Sequence, residues 1–188
     1  MKFPITTASD FLDLETIEHD DWIIDLESRL SSSNSNDIRI TILDTGINFN
    51  HKLLSPFISE SSSSSYGDDI VGTWPLYSTL GNRHHHGSLQ AGLAIYGNLV
   101  NCLESTDTIS INYSLESGRI LPEYGNNDPL LYGYVTKSVC LDLEIRQPYA
   151  KRIYSLAVTA EPTEGKPSSW SASIDNFAYE DSKRLSHS

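Results

Sequence analysis

Between residues 38 and 180 the apolar pattern of this 188-residue chain repeatedly switches between a two-residue and a helical period, and no other feature restricts its architecture as strongly. "IRITIL", Ile38 to Leu43, is a strand pattern. "LQAGLAIYGNLV" carries Leu89, Leu93 and Leu99 with small Ala91, Gly92 and Ala94 between them, the pattern of a helix packed closely on a sheet. "TISINYSLE" alternates Ile109, Ile111, Tyr113 and Leu115 as a half-buried strand. "LLYGYVTKSVCLDLEI" returns to helical spacing through Leu131, Val135, Val139 and Leu143, and "RIYSLAVTA" is again a strand. "SSWSASIDNFAYE" opens with Ser and Pro signals suited to a further helix. Strands alternating with helices predict an α/β fold, a mostly parallel sheet flanked by helices.

The length suits one domain. Residues 1–36 are read as an acidic helical extension and linker: Trp22, Ile23, Leu26 and Leu30 form one helical stripe, and "SSSNSND" follows as a flexible connection. Residues 37–188 hold the α/β domain. The tract "SESSSSSYGDD" is expected to be a mobile surface loop before a short strand at "DIVGTW". With 25 acids against 13 bases, a net charge of −12 and no basic cluster, nucleic acid and anionic membrane are poor partners. No apolar run is long enough to span a bilayer, and "MKFPITTASDFLDLE" has no signal-peptide core, so a cytoplasmic location is expected. Cys102 and Cys140 have neither metal nor redox spacing and are read as buried free thiols.

The first strand runs into Asp44-Thr45-Gly46. An aspartate in this setting serves two unrelated chemistries. As half of a carboxylate dyad it needs a second D-T-G or a symmetric dimer, as in a dimeric aspartic protease. The chain has one D-T-G, with "IVG" at Ile70 to Gly72 as a weak second element and Ile47 where retroviral-type enzymes usually carry Ala. As the orienter of a histidine, the aspartate needs an imidazole arriving from a following helix. "HGSLQAG", His86 to Gly92, supplies that histidine 42 residues later.

Together these segments resemble the first two catalytic motifs of the subtilisin-like serine proteases, the subtilases. Asp44, Thr45, Gly46, Ile47, His51 and Leu54 match the D-[S/T]-G and H-P-x-L pattern, with Lys52 in place of the proline. His86, Gly87, Ala91 and Gly92 match H-G-T-H-V-A-G, with Ser88 for the Thr and Leu89 for the second His. The resemblance implies a subtilisin-like sheet, Asp44 and His86 as catalytic residues, and a polypeptide substrate. Residues Ala157, Val158 and Thr159 align with the strand that pairs with substrate. His51 matches a non-catalytic position and is expected to be a structural partner at the turn, whereas His84 and His85 are read as loop. Calcium loops are common in the family, yet no carboxylate spacing singles one out here, so no cofactor is assigned. "GKPSSWSASIDNFA" and "LLYGYVTKSV" resemble a bacterial subtilase branch found in anti-phage defence beside an ATPase.

The family's G-T-S-x-A-x-P nucleophile and A-x-G-N oxyanion element do not occur in these residues. Ser168, Ser169, Ser171 and Ser173 lack the flanking glycine and proline. The expectation is therefore a domain truncated before its nucleophile region and inactive alone, completed by a missing C-terminal part or a second polypeptide. A catalytically dead peptide-binding module is the alternative within the same ancestry.

Overall fold

The computed structural model describes residues 16–32, 37–68, 72–78, 85–159 and 168–185. The central element is β2, Ile38–Asp44, whose side chains alternate between two apolar layers. Ile40 and Ile42 face one layer and Leu43 the other, so the strand is covered on both sides as parallel strands require. Parallel partners flank it: β7, Ser114–Arg119, on one side and β8, Lys151–Ser155, on the other. A fourth strand, β3 at Ser63–Ser65, pairs parallel with β7, and the order is β3-β7-β2-β8. Two small pairs are the other strands among the described residues: β1 (Leu30–Ser32) with β6 (Ile109–Ile111), and β4 (Gly67–Asp68) with β5 (Gly72–Thr73).

The described residues also hold five α-helices: α1 (Thr16–Ser28), α2 (His86–Tyr96), α3 (Leu99–Glu104), α4 (Tyr132–Arg146) and α5 (Ser169–Leu185). On one face Trp22 and Leu26 of α1 and Ala91 and Ile95 of α2 share a core with Ile42, Ile47 and Leu115. On the other, Val135, Val139 and Leu143 of α4 and Trp170 and Phe177 of α5 pack with Leu43. The mixed α/β architecture with parallel sheets between helices is the one the alternating periods predict, and it is consistent with a subtilisin-like fold.

Four local expectations change. The serine tract is not a free loop, because Ser63 to Ser65 form an edge of the main sheet. Serine is acceptable there because its hydroxyls find partners: Ser63 donates to Ser59 O, Ser64 to Asp142 Oδ2 and Ser65 to Trp74 O. Ser31 and Ser32, read as linker, are paired with Ser110 and Ile111. On α2 Gly87 and Ala91 are buried, whereas Leu89 and Leu93 are each 66% exposed and Gly92 lies on their open side. Finally, β8 ends at Ser155, so Ala157 to Thr159 are irregular backbone beyond the strand. Of the other sequence readings, residues 9–15 of the N-terminal helix, Ile70 and Val71 of "IVG" and His84 lie outside the described residues.

Candidate active site

Asp44 is the last residue of β2, and its parity with Ile40 and Ile42 turns its side chain toward α2. It lies at the carboxyl end of a central parallel strand, where open α/β sheets form their crevices. The turn that follows is built for close approach. Gly46 has φ +87, and a Cβ on it would stand 2.2 Å from Leu76 O. A Cβ on Gly87 would stand 2.6 Å from Gly46 O, so α2 meets the turn backbone to backbone. The contact is pinned by Gly87 N donating to Thr45 Oγ1 at 3.0 Å and Asn48 N to Ser88 Oγ at 2.9 Å, while Ile47 N donating to Ser117 Oγ at 2.8 Å ties the turn to β7.

His86 is the first residue of α2, and its Nδ1 lies 2.8 Å from Asp44 Oδ2. The two partners sit in different surroundings. Asp44 is fully buried, whereas the His86 side chain is 52% exposed. Asp44 Oδ1 accepts Thr45 N at 2.7 Å, and Oδ2 also accepts Gln90 Nε2 at 2.7 Å. A carboxylate at Oδ2 requires a proton on Nδ1, which leaves Nε2 with the lone pair. The structure therefore brings Asp44 and His86 together as an oriented imidazole, with the amide of Gln90 as a third member that sequence reading missed. Gln90 stands one helical turn after His86, and that spacing was the available signal.

Asp44 and His86 open onto a cleft of about 270 Å3 also lined by Leu121, Asn127, Tyr132, Thr136 and Trp170. Ala157, Val158 and Thr159 line the same cleft, although not as part of a strand. His51 stays at its turn, accepting Leu53 N at Nδ1 at 3.3 Å, and burial lowers its pKa. Among the described residues, the His86 ring is hydrogen-bonded to Asp44 and has Gln90 Nε2 at 3.0 Å beside it, and no serine bonds to it. Ser168 and Ser171 bond each other, and Ser173 donates to Ser169 O. Asp44 has an imidazole and an amide beside it, with no second carboxylate hydrogen-bonded to it among the described residues. Cys102 and Cys140 are free, and burial, helped by the Glu144 charge, pushes the Cys140 thiol up to about 12. Among the described residues no three His, Cys, Asp or Glu side chains converge as metal ligands. No described helix is long and apolar enough to cross a membrane.

A parallel sheet ending in a buried carboxylate that holds a half-exposed imidazole defines a class: α/β proteins with a histidine–aspartate pair at the strand ends. The family follows from the sequence as a whole. The chain belongs to the subtilase family, whose model matches residues 35–186. No curated protein and no solved structure matches the chain.

Proposed function

We propose that this chain supplies the general base and its orienting carboxylate to a subtilisin-like serine endopeptidase. The observation that carries the reading is the 2.8 Å contact between buried Asp44 and half-exposed His86. Asp44 accepts a hydrogen bond from Nδ1–H, so Nε2 keeps the lone pair that accepts the proton of a serine hydroxyl as its oxygen attacks the scissile carbonyl. The imidazolium, stabilised by Asp44, then returns that proton to the leaving amine. The serine comes from outside the described residues, from a further stretch of polypeptide or from a second one. The substrate is an extended polypeptide lying in the cleft, with main-chain contacts to Ala157, Val158 and Thr159 and side chains against Tyr132 and Trp170. The free thiols support a cytoplasmic setting. The narrower resemblance to anti-phage subtilases would make an ATPase the working partner.

The test is labelling by a fluorophosphonate probe alongside peptide hydrolysis. The 188-residue chain by itself is expected to show neither, because the serine and its oxyanion donors carry most of the rate. A probe adduct lost on changing one serine of this chain would overturn that expectation. A second reading, a subtilase-derived module that binds peptides without cutting them, is favoured by the lack of a serine bonded to His86 among the described residues. Peptide binding in the cleft that persists without turnover in every assembly would select it.

A further inference from the structure

We infer that Gln90 is a positioning residue of the Asp44–His86 pair, its side-chain amide clamping the carboxylate between α2 and the end of β8. The inference rests on the protease reading for its consequence, though not for its geometry. Gln90 Nε2 donates to Asp44 Oδ2 at 2.7 Å, the same oxygen that faces His86 Nδ1 at 2.8 Å. At its other end Oε1 accepts Ser155 Oγ at 3.3 Å. Only one orientation of the amide satisfies both ends, since a carboxylate can only accept and an amide oxygen placed against it would be repelled. The 3.0 Å approach of Gln90 Nε2 to His86 Nδ1 is then the meeting of two donors at one acceptor.

Three donors hold the carboxylate: Thr45 N on Oδ1, and His86 and Gln90 on Oδ2. Without Gln90, Asp44 would keep the two donors next to it in the chain and in the site, and its Oδ2 would be open to water. Water at Oδ2 competes with Nδ1–H as a donor to that oxygen and lets the ring adopt the other tautomer, in which Nε2 carries the proton and cannot act as base. Among the described residues, ionisable groups near the pair include His85 before it, Tyr132 across the cleft, and Arg119, the register partner of Asp44 on β7, with Glu123 bound to it. The Arg119 guanidinium is engaged by Leu121 O, Pro75 O and Glu123. Among the described residues none of these is hydrogen-bonded to Asp44 or His86, so the amide is the polar partner through which the pair meets β8.

The experiment is nitrogen-15 NMR of the His86 ring in the full chain. The wild-type ring should hold its proton on Nδ1, protected from exchange with water. Gln90→Met keeps the length and removes the donor, and Gln90→Asn keeps the amide but falls short of Oδ2. Each should speed exchange of the Nδ1 proton by about tenfold to a hundredfold, the equilibrium factor of one hydrogen bond to a charged acceptor, with a measurable share of the other tautomer. Ser155→Ala should move both readouts the same way by less. In any assembly that cleaves peptides, Gln90→Met should lower kcat by a similar factor and leave KM unchanged. Unchanged exchange and tautomer in a folded Gln90→Met or Gln90→Asn chain would overturn the inference. Asp44→Asn, which removes the protected proton whatever Gln90 does, calibrates the signal. These NMR changes in a chain that hydrolyses no peptide in any assembly that supplies the missing serine would count against the protease reading and leave the clamp standing.

Discussion

Among the described residues two carboxylates are wholly buried, and their surroundings could hardly differ more. Glu116, on β7, is sealed on every side. It accepts Thr41 Oγ1 at 2.8 Å, Arg152 Nε at 2.8 Å and Arg152 Nη2 at 2.9 Å. Arg152 is itself almost fully enclosed, with Nη2 also bonded to Leu143 O and Gln147 O. Burial pulls the Arg152 pKa down, but the hydrogen bond and charge of Glu116 more than reverse that, so the guanidinium stays charged. Asp44 has a partner whose other ring nitrogen belongs to a half-exposed side chain at a cleft. A closed pair stores its charge in the fold, whereas an open pair leaves one atom free to exchange a proton. Cost follows the same division. Breaking Glu116–Arg152 strands a charge in the core, and breaking Asp44–His86 leaves an imidazole that water can reach.

The sharpest way to break this contrast is Asp44→Asn in an assembly that hydrolyses peptides. Turnover should fall by about 10⁴, the size found when the orienting aspartate of such triads is made neutral, with urea stability changing far less than turnover. A variant with normal turnover would remove Asp44 from the chemistry. Next in size is Glu116→Leu, expected to lower unfolding free energy by about 3–5 kcal/mol because it leaves Arg152 charged and unpaired. The double replacement Glu116→Leu with Arg152→Met should recover most of that loss in the same denaturation experiment. Recovery is what separates a pair held for packing from one held for chemistry.

Gly87→Ala is expected to cost about 1–3 kcal/mol by overpacking against Gly46 O, and to weaken the protected His86 Nδ1 proton as α2 is pushed away. Thermal melting with proton NMR would check both. The smallest effect concerns His51, which lies outside both pairs. Burial lowers its pKa from the ordinary 6.5, so the unfolded chain binds the proton more readily. Its contribution is therefore fully present above about pH 6.5 and is lost as pH falls below that value. His51→Asn should flatten part of the decline in urea midpoint between neutral and mildly acid pH, and an unchanged decline would show that His51 has no share in it.

Much of this arrangement was readable along the chain. Ile38 to Leu43 is apolar enough to be a central strand, and Asp44-Thr45-Gly46 marks where it must stop and turn. The helix after His86 was readable from its small residues, but which side of it faced the sheet was not. Leu89 and Leu93 looked like the buried stripe, yet Gly87 and Ala91 are the residues that let α2 lie close against the turn. Ser63 to Ser65 gave a loop-like composition, and only neighbours such as Asp142 and the Trp74 carbonyl make that stretch acceptable as a strand. Gln90 carries no motif, and its role appears once α2 is docked.

From its residues alone this protein determined the order of strands and helices, the strand end that carries Asp44 and the helix start that carries His86, because periodicity and turn chemistry act over a few neighbouring positions. The tertiary structure decided which helix face is buried, where Ser63 to Ser65 pair, and that Asp44 Oδ2 is shared by His86 and Gln90. Those outcomes depend on distances between segments some 40 to 80 residues apart. Local pattern cannot encode such distances, and packing with hydrogen-bond satisfaction sets them.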